Sequence, residues 1–168
     1  MMLSGKTIVG GLLGGTIGVE LVTMRLGIKE RTGDLFAIPL TLGIAIGRLG
    51  CFFGGIADHT YGNPANLPWS VNFGDGIPRH PVQIYEILFL LALAAVLSFL
   101  RGELPRNGDL YRVFLVSYLA WRLAIDFLKP GSLFGDLTAI QWACVAALAW
   151  YSRDIAAMLA FRRKPAHG

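Results

Sequence analysis

Five ionisable side chains, Glu20, Arg48, Glu86, Arg122 and Asp126, draw notice inside stretches of sequence that are otherwise apolar. A charge at such a position is costly in lipid and normally faces a partner or a polar cavity, so each is a candidate for chemistry. Guanidinium groups hold phosphate or carboxylate oxygens in a planar fork, which makes Arg48 and Arg122 candidates for one anion site. The run Arg79-His80-Pro81-Val82-Gln83-Ile84-Tyr85-Glu86 adds an imidazole able to serve as a general base, His80, next to a helix start marked by Pro81. Helical spacing then places Gln83 and Glu86 on one face, with His80 at the loop edge. Tyr118 and Asp126 each lie one turn from Arg122 and share its face, and an Arg122–Asp126 ion pair competes with a ligand role for either residue. A plainer reading makes His80 an interfacial polar residue and Tyr85 an anchor at the membrane surface. Glu20 falls away from this group, near a helix end, where snorkelling or helix packing accounts for it.

The elements that must carry these residues follow from composition. The chain has 168 residues, 54% hydrophobic and 15% charged, with a mean hydropathy of +0.55, too apolar for an ordinary soluble domain. A net charge of +4 does not imply nucleic acid, because the basic residues stand singly between apolar segments except for Arg162, Arg163 and Lys164. The first segment follows a basic residue as a signal peptide would, yet it shows no clean small-residue cleavage site and continues into Glu20, so a retained helix is expected. Cys51 and Cys144 lie in different segments without metal-ligand spacing and are expected as unpaired thiols. Nothing suggests a second domain, and residues 1–168 are read as one transmembrane domain.

Apolar segments at Thr7 to Met24, Leu35 to Phe53, Pro81 to Leu100, Leu110 to Leu128 and Leu137 to Phe161 each approach the roughly 20 residues needed to cross a bilayer. The expected fold is therefore an all-α polytopic bundle of about five transmembrane helices, since lipid leaves free backbone groups no other partners. Gly10, Gly14 and Gly18, with Gly11 and Gly15 beside them, predict close helix contact, with a phosphate cradle as the lesser reading. Basic residues favour the cytoplasmic side. Arg25, Lys29 and Arg31, then Arg101, Arg106 and Arg112, then the tail with Arg163, belong together inside; Lys6, Arg79 and Lys129 belong outside. The N-terminus is thus expected outside and the C-terminus inside, with Asp58, His59 and Asp75 at the outer face. The segment 54–80, rich in Gly, Pro, Asn and Asp, is the one connection long enough to cover a site from outside, and Trp69 is read as its interfacial anchor. At about 1.5 Å per residue, Arg48 lies roughly 20 Å up the second helix, Arg122 roughly 18 Å up the fourth and Glu86 roughly 8 Å into the third. All three are expected at one level in the outer half of a core about 30 Å thick.

Taken in order, Gly10 to Gly15, Gly47-Arg48-Leu49-Gly50-Cys51-Phe52, Pro68 to Phe73, Arg79 to Glu86 and Tyr118 to Arg122 resemble the prolipoprotein diacylglyceryl transferases of bacteria. The match is colinear from about Gly10 to Gln141, and the Arg-His-Pro-x-Gln-x-Tyr-Glu run is its most specific part. The resemblance implies a multi-pass enzyme of the bacterial plasma (inner) membrane with its site toward the outer face. It would move diacylglyceryl from phosphatidylglycerol to the lipobox cysteine of a lipoprotein precursor and release glycerol phosphate. It further implies catalytic roles for His80, Arg48, Arg122 and Glu86 and substrate binding by Gly10, Gly11, Gln83, Tyr85, Tyr118 and Arg79. Phospholipid, a precursor protein and the membrane are the implied partners, nucleic acid is not, and the chemistry requires no metal or other cofactor.

The chain departs from the family pattern at Val9, where a histidine is usual, at Cys51, where an asparagine is usual, and at Ile56, near a usual acidic residue. The late Arg-x-x-x-Glu-Phe-x-Arg pattern reads here as Arg122, Asp126, Phe127 and Lys129. The chain begins close to the first shared motif, so the additional N-terminal helices of full members are expected to be absent. A non-catalytic phospholipid-binding or assembly subunit is the competing reading. A small transporter is weaker, because the charges gather on one side instead of lining a route.

Overall fold

The computed structural model describes residues 8–27, 33–104, 106–129 and 141–151. Lys6, Lys29, Arg31, Arg162, Arg163 and Lys164, on which part of the expected orientation rests, lie outside them. The described chain is predominantly helical: α1 (Ile8–Leu26), α2 (Gly33–Phe53), a two-stranded hairpin of β1 (Val71–Asn72) and β2 (Pro78–Arg79), α3 (Val82–Leu100), α4 (Asp109–Ile125), and helical residues 141–151, here α5. Among the described residues, α1, α2 and α3 are long and apolar enough to cross a membrane. The fourth expected span is shorter than drawn from sequence. Its α-helix stops at Ile125, and Asp126–Leu128 tighten into a 3-10 turn before Lys129 adopts an extended backbone. Lys129 precedes Pro130, and the residue before proline is driven out of helical geometry. The fifth expected span, Leu137 to Phe161, extends beyond the described residues at both ends.

Two compact units make up the chain. The first comprises residues 1–53 and 83–114. Its order begins at the starts of α2 and α4, where the Asp34 carboxylate accepts the backbone N–H of Gly108 (2.7 Å) and of Tyr111 (2.9 Å). A carboxylate here satisfies donors that have no partner within the helix and complements the positive end of its dipole. Tyr111 meets the Cα of Gly33 so closely that an added Cβ would sit 3.2 Å from its ring, and its hydroxyl lies 2.7 Å from Thr16 Oγ1 on α1. One tyrosine therefore fastens α1, α2 and α4 together. Along α2, Ala37, Thr41, Ala45 and Arg48 recur every three or four residues as one buried stripe, and Leu90, Leu93, Ala94 and Leu97 do the same on α3.

Among the described residues, the close packing expected at Gly11, Gly14, Gly15 and Gly18 is not found. An added Cβ at Gly11, Gly14, Gly15 or Gly18 would meet nothing within 4 Å. The helix turns Val9, Leu12, Leu13 and Thr16 toward the unit and leaves the glycines on its exposed side.

The second unit comprises residues 54–82 and 115–168. Residues 54–80 carry more regular structure than their turn-rich composition suggests. Val71 pairs with Arg79 and Asn72 with Pro78, while Pro64 bridges Arg79 from its other side. The Asn72 side-chain carbonyl accepts both Gly74 N–H (2.9 Å) and Gly76 N–H (3.0 Å), closing the hairpin, and both glycines hold positive φ angles that favour glycine. Asn63 N–H donates to the Leu128 carbonyl (2.7 Å), tying this segment to the end of α4.

Candidate functional site

In the first unit, Arg48 near the end of α2 meets Glu86 on the second turn of α3, with Nε 2.9 Å from Oε2. Both side chains are almost sealed, at 7% and 1% exposure, so the pair sits where solvent screens it little. Arg48 Nη1 also donates weakly to Cys51 Sγ at 3.9 Å. Gln83, one turn before Glu86, is buried as well, and Tyr85 is half-buried. The structure thus joins two of the four candidate catalytic residues directly. The sequence placed them at one level but did not pair them, because depth along a helix does not say which way a side chain points around it. Gly10 and Gly11, expected to bind substrate, lie on the exposed side of α1.

In the second unit, Arg122 Nη2 donates to Asp126 Oδ1 at 3.3 Å, with both side chains 6% exposed. The pair is one of the two alternatives the spacing left open, and it forms although Asp126 already belongs to the 3-10 turn. Tyr118, one turn earlier, is fully buried, as is Cys144 on α5. Neither Cys51 nor Cys144 forms a disulfide. On α5, Gln141 Nε2 donates to the Leu123 carbonyl at 3.4 Å.

His80 is held by backbone contacts. Its N–H donates to the Asn63 carbonyl (3.1 Å), and its own carbonyl accepts from Gly62 (3.0 Å) and Val82 (2.9 Å). Gly62 is required for this approach: an added Cβ would lie 2.6 Å from His80 Cβ and 2.8 Å from its carbonyl oxygen. Beside it, Arg79 is spoken for. Its Nη2 and Nε donate to Asp75 Oδ2 at 2.6 and 3.1 Å, and its guanidinium lies 4.6 Å from the centre of the Tyr61 ring. The Arg79 guanidinium holds the Asp75 carboxyl below the usual carboxylate range. These contacts brace the hairpin at Arg79. Sequence reading missed Gly62, Asn72 and Asp34 as organising residues; the Asn72-x-Gly74-x-Gly76 spacing was the available signal for Asn72, and an acidic residue in the first turn of α2 for Asp34.

Three apolar helices long enough to cross a membrane, two of them joined by the sealed Arg48–Glu86 pair, define an all-α integral membrane protein. The chain belongs to the prolipoprotein diacylglyceryl transferase family, whose model matches residues 1–152. It is 37% identical over 146 residues to the phosphatidylglycerol–prolipoprotein diacylglyceryl transferase of Bordetella parapertussis, covering 79% of this chain and 55% of that protein. The proteins of the same name from Methylocella silvestris and Finegoldia magna are 34% and 32% identical, covering 80% and 86% of this chain and 52% and 58% of theirs. The chain spans about half the length of the curated relatives it matches.

Proposed function

We propose that this protein transfers diacylglyceryl from phosphatidylglycerol to the cysteine thiol of a prolipoprotein, in the bacterial plasma membrane. The observation that carries the reading is the sealed Arg48–Glu86 pair, formed between two of the motifs that run in family order. In the reaction the thiolate sulfur attacks the glycerol carbon, the carbon–oxygen bond to phosphate breaks, and glycerol phosphate leaves with the electron pair. Arg48 and Arg122 each offer a guanidinium fork to phosphate oxygens and to the charge that develops there, while Glu86 and Asp126 fix those forks in orientation. His80 takes the thiol proton. Gln83, Tyr85 and Tyr118 supply further substrate contacts.

The chain is read with five spans, the N-terminus outside and segment 54–80 at the outer face. Two observations support this alternation. Asp34 puts the starts of α2 and α4 at one level, and Arg48–Glu86 puts the end of α2 beside the start of α3.

The test is mass spectrometry of the full chain in phosphatidylglycerol vesicles with a lipobox peptide. A thioether-linked diacylglyceryl peptide is expected. His80→Gln should abolish most product while leaving phospholipid binding intact. Arg48→Lys and Arg122→Lys should each weaken binding about tenfold, because lysine keeps the charge but loses the fork. Phospholipid binding with no thioether product would make the protein a lipid-binding subunit and overturn the enzymatic reading.

A further inference from the structure

α5 carries none of the residues assigned to the reaction, yet it holds a buried amide. Gln141 is 1% exposed and Cys144, one turn on, is fully buried, while Trp142 beside them is 51% exposed. The helix thus presents Gln141 and Cys144 to its own unit and turns Trp142 outward. An apolar anchor would carry leucine or isoleucine at the buried position, since burying an amide costs stability unless it is hydrogen-bonded. Gln141 Nε2 donates to the Leu123 carbonyl at 3.4 Å. That carbonyl belongs to the last turn of α4, where the helix ladder no longer supplies a regular partner to every acceptor. Leu123 directly follows Arg122, whose ion pair with Asp126 spans the change from α-helix to 3-10 turn. Beyond that turn, the Leu128 carbonyl accepts from Asn63 N–H. The Arg122–Asp126 pair therefore lies between two braces, and one of them is a side chain of α5.

We propose that Gln141 is a positioning residue for the transfer. By holding the Leu123 carbonyl it fixes the helical turn on which Arg122 stands, and so the direction of the guanidinium fork offered to phosphate. The inference rests on the proposed phosphate role of Arg122. Asp126 alone orients that fork loosely, because its contact with Arg122 Nη2 is 3.3 Å, long for a hydrogen bond between charged groups. A fork that makes two parallel hydrogen bonds to phosphate must hold its aim to within about 10–20°. A brace on the backbone at the next residue limits rotation of the turn that sets this aim. Gln141 acts through Arg122, and Arg122 meets the lipid.

The test is a double-mutant cycle on the full chain in detergent, read as phosphatidylglycerol binding with no peptide present. Gln141→Met keeps the length and bulk of the side chain and removes the donor. Alone it should weaken binding several-fold, and again several-fold in the Arg48→Lys background. In the Arg122→Lys background it should add almost nothing, because the fork it aims is already gone. Loss of a merely structural bond would add equally to both arginine variants. That equal addition would overturn the inference, as would wild-type binding by Gln141→Met beside a weakened Arg122→Lys. Wild-type binding by Arg122→Lys itself would remove the phosphate role of Arg122 and the inference with it. Gln141→Glu, which keeps the shape and exchanges the donor for an acceptor, carries the same expectations if the methionine variant does not insert.

Discussion

At the scale of single residues, the arginines are the costly groups, and their carboxylates decide what that cost is. Removing one partner of a buried pair strands the other charge, and such losses are about 3–5 kcal/mol. Glu86→Gln should therefore lower the thermal stability of the protein in detergent far more than a surface Glu103→Gln change. The double replacement Arg48→Met with Glu86→Leu should recover most of that stability and no phospholipid binding. Thermal unfolding and a lipid-binding measurement on the same samples separate the two effects. The charges announced themselves in sequence because each interrupts an apolar run. The Arg122–Asp126 partnership was readable too, since both residues share one helix. The Arg48–Glu86 partnership was not, because it depends on how two separate helices are rotated.

At the scale of elements, the segment before α3 has a clamp and a pH-dependent tie. Gly62→Ala would push a methyl group into the His80 backbone, so His80 and the adjoining chain must shift. Faster amide exchange at Gly62 and His80, with the α-helices unaffected, is the expected signature. The tie is Asp75, whose carboxylate accepts from Arg79 and from the Ile77 N–H (3.1 Å). Its pKa in the folded protein is lowered, chiefly by the Arg79 hydrogen bond, so its contribution is complete above the ordinary carboxylate range and disappears as pH falls through the lowered value. Protection of the Ile77 amide, corrected for intrinsic exchange, should hold through mildly acid conditions and fall below them, and Asp75→Asn should remove that dependence. The turn-forming composition of this stretch was plain from sequence. The strands were not, because two-residue strands carry no alternation to read and their register is set by the Asn72 turn and by Pro64.

At the scale of the whole molecule, hydropathy identified an all-α membrane protein and placed three spans within a few residues of their observed ends. It overran α4, where the signal that ends the helix is backbone geometry before Pro130 and not a loss of apolar character. The proposed orientation predicts that a cysteine at position 75 reacts with an impermeant reagent added to intact spheroplasts, and that one at position 103 reacts only after lysis. The reverse pattern would invert the orientation. The contact of Asn63 with the Leu128 carbonyl also bears on the order of synthesis. Its acceptor belongs to a residue made long after its donor, with all of α3 and α4 between them. As the chain emerges from the ribosome, the stretch that holds His80 must wait for two later helices before its last tether exists, so a polypeptide halted after α3 would carry the complete Arg79 to Glu86 sequence and still lack the fastening that fixes it.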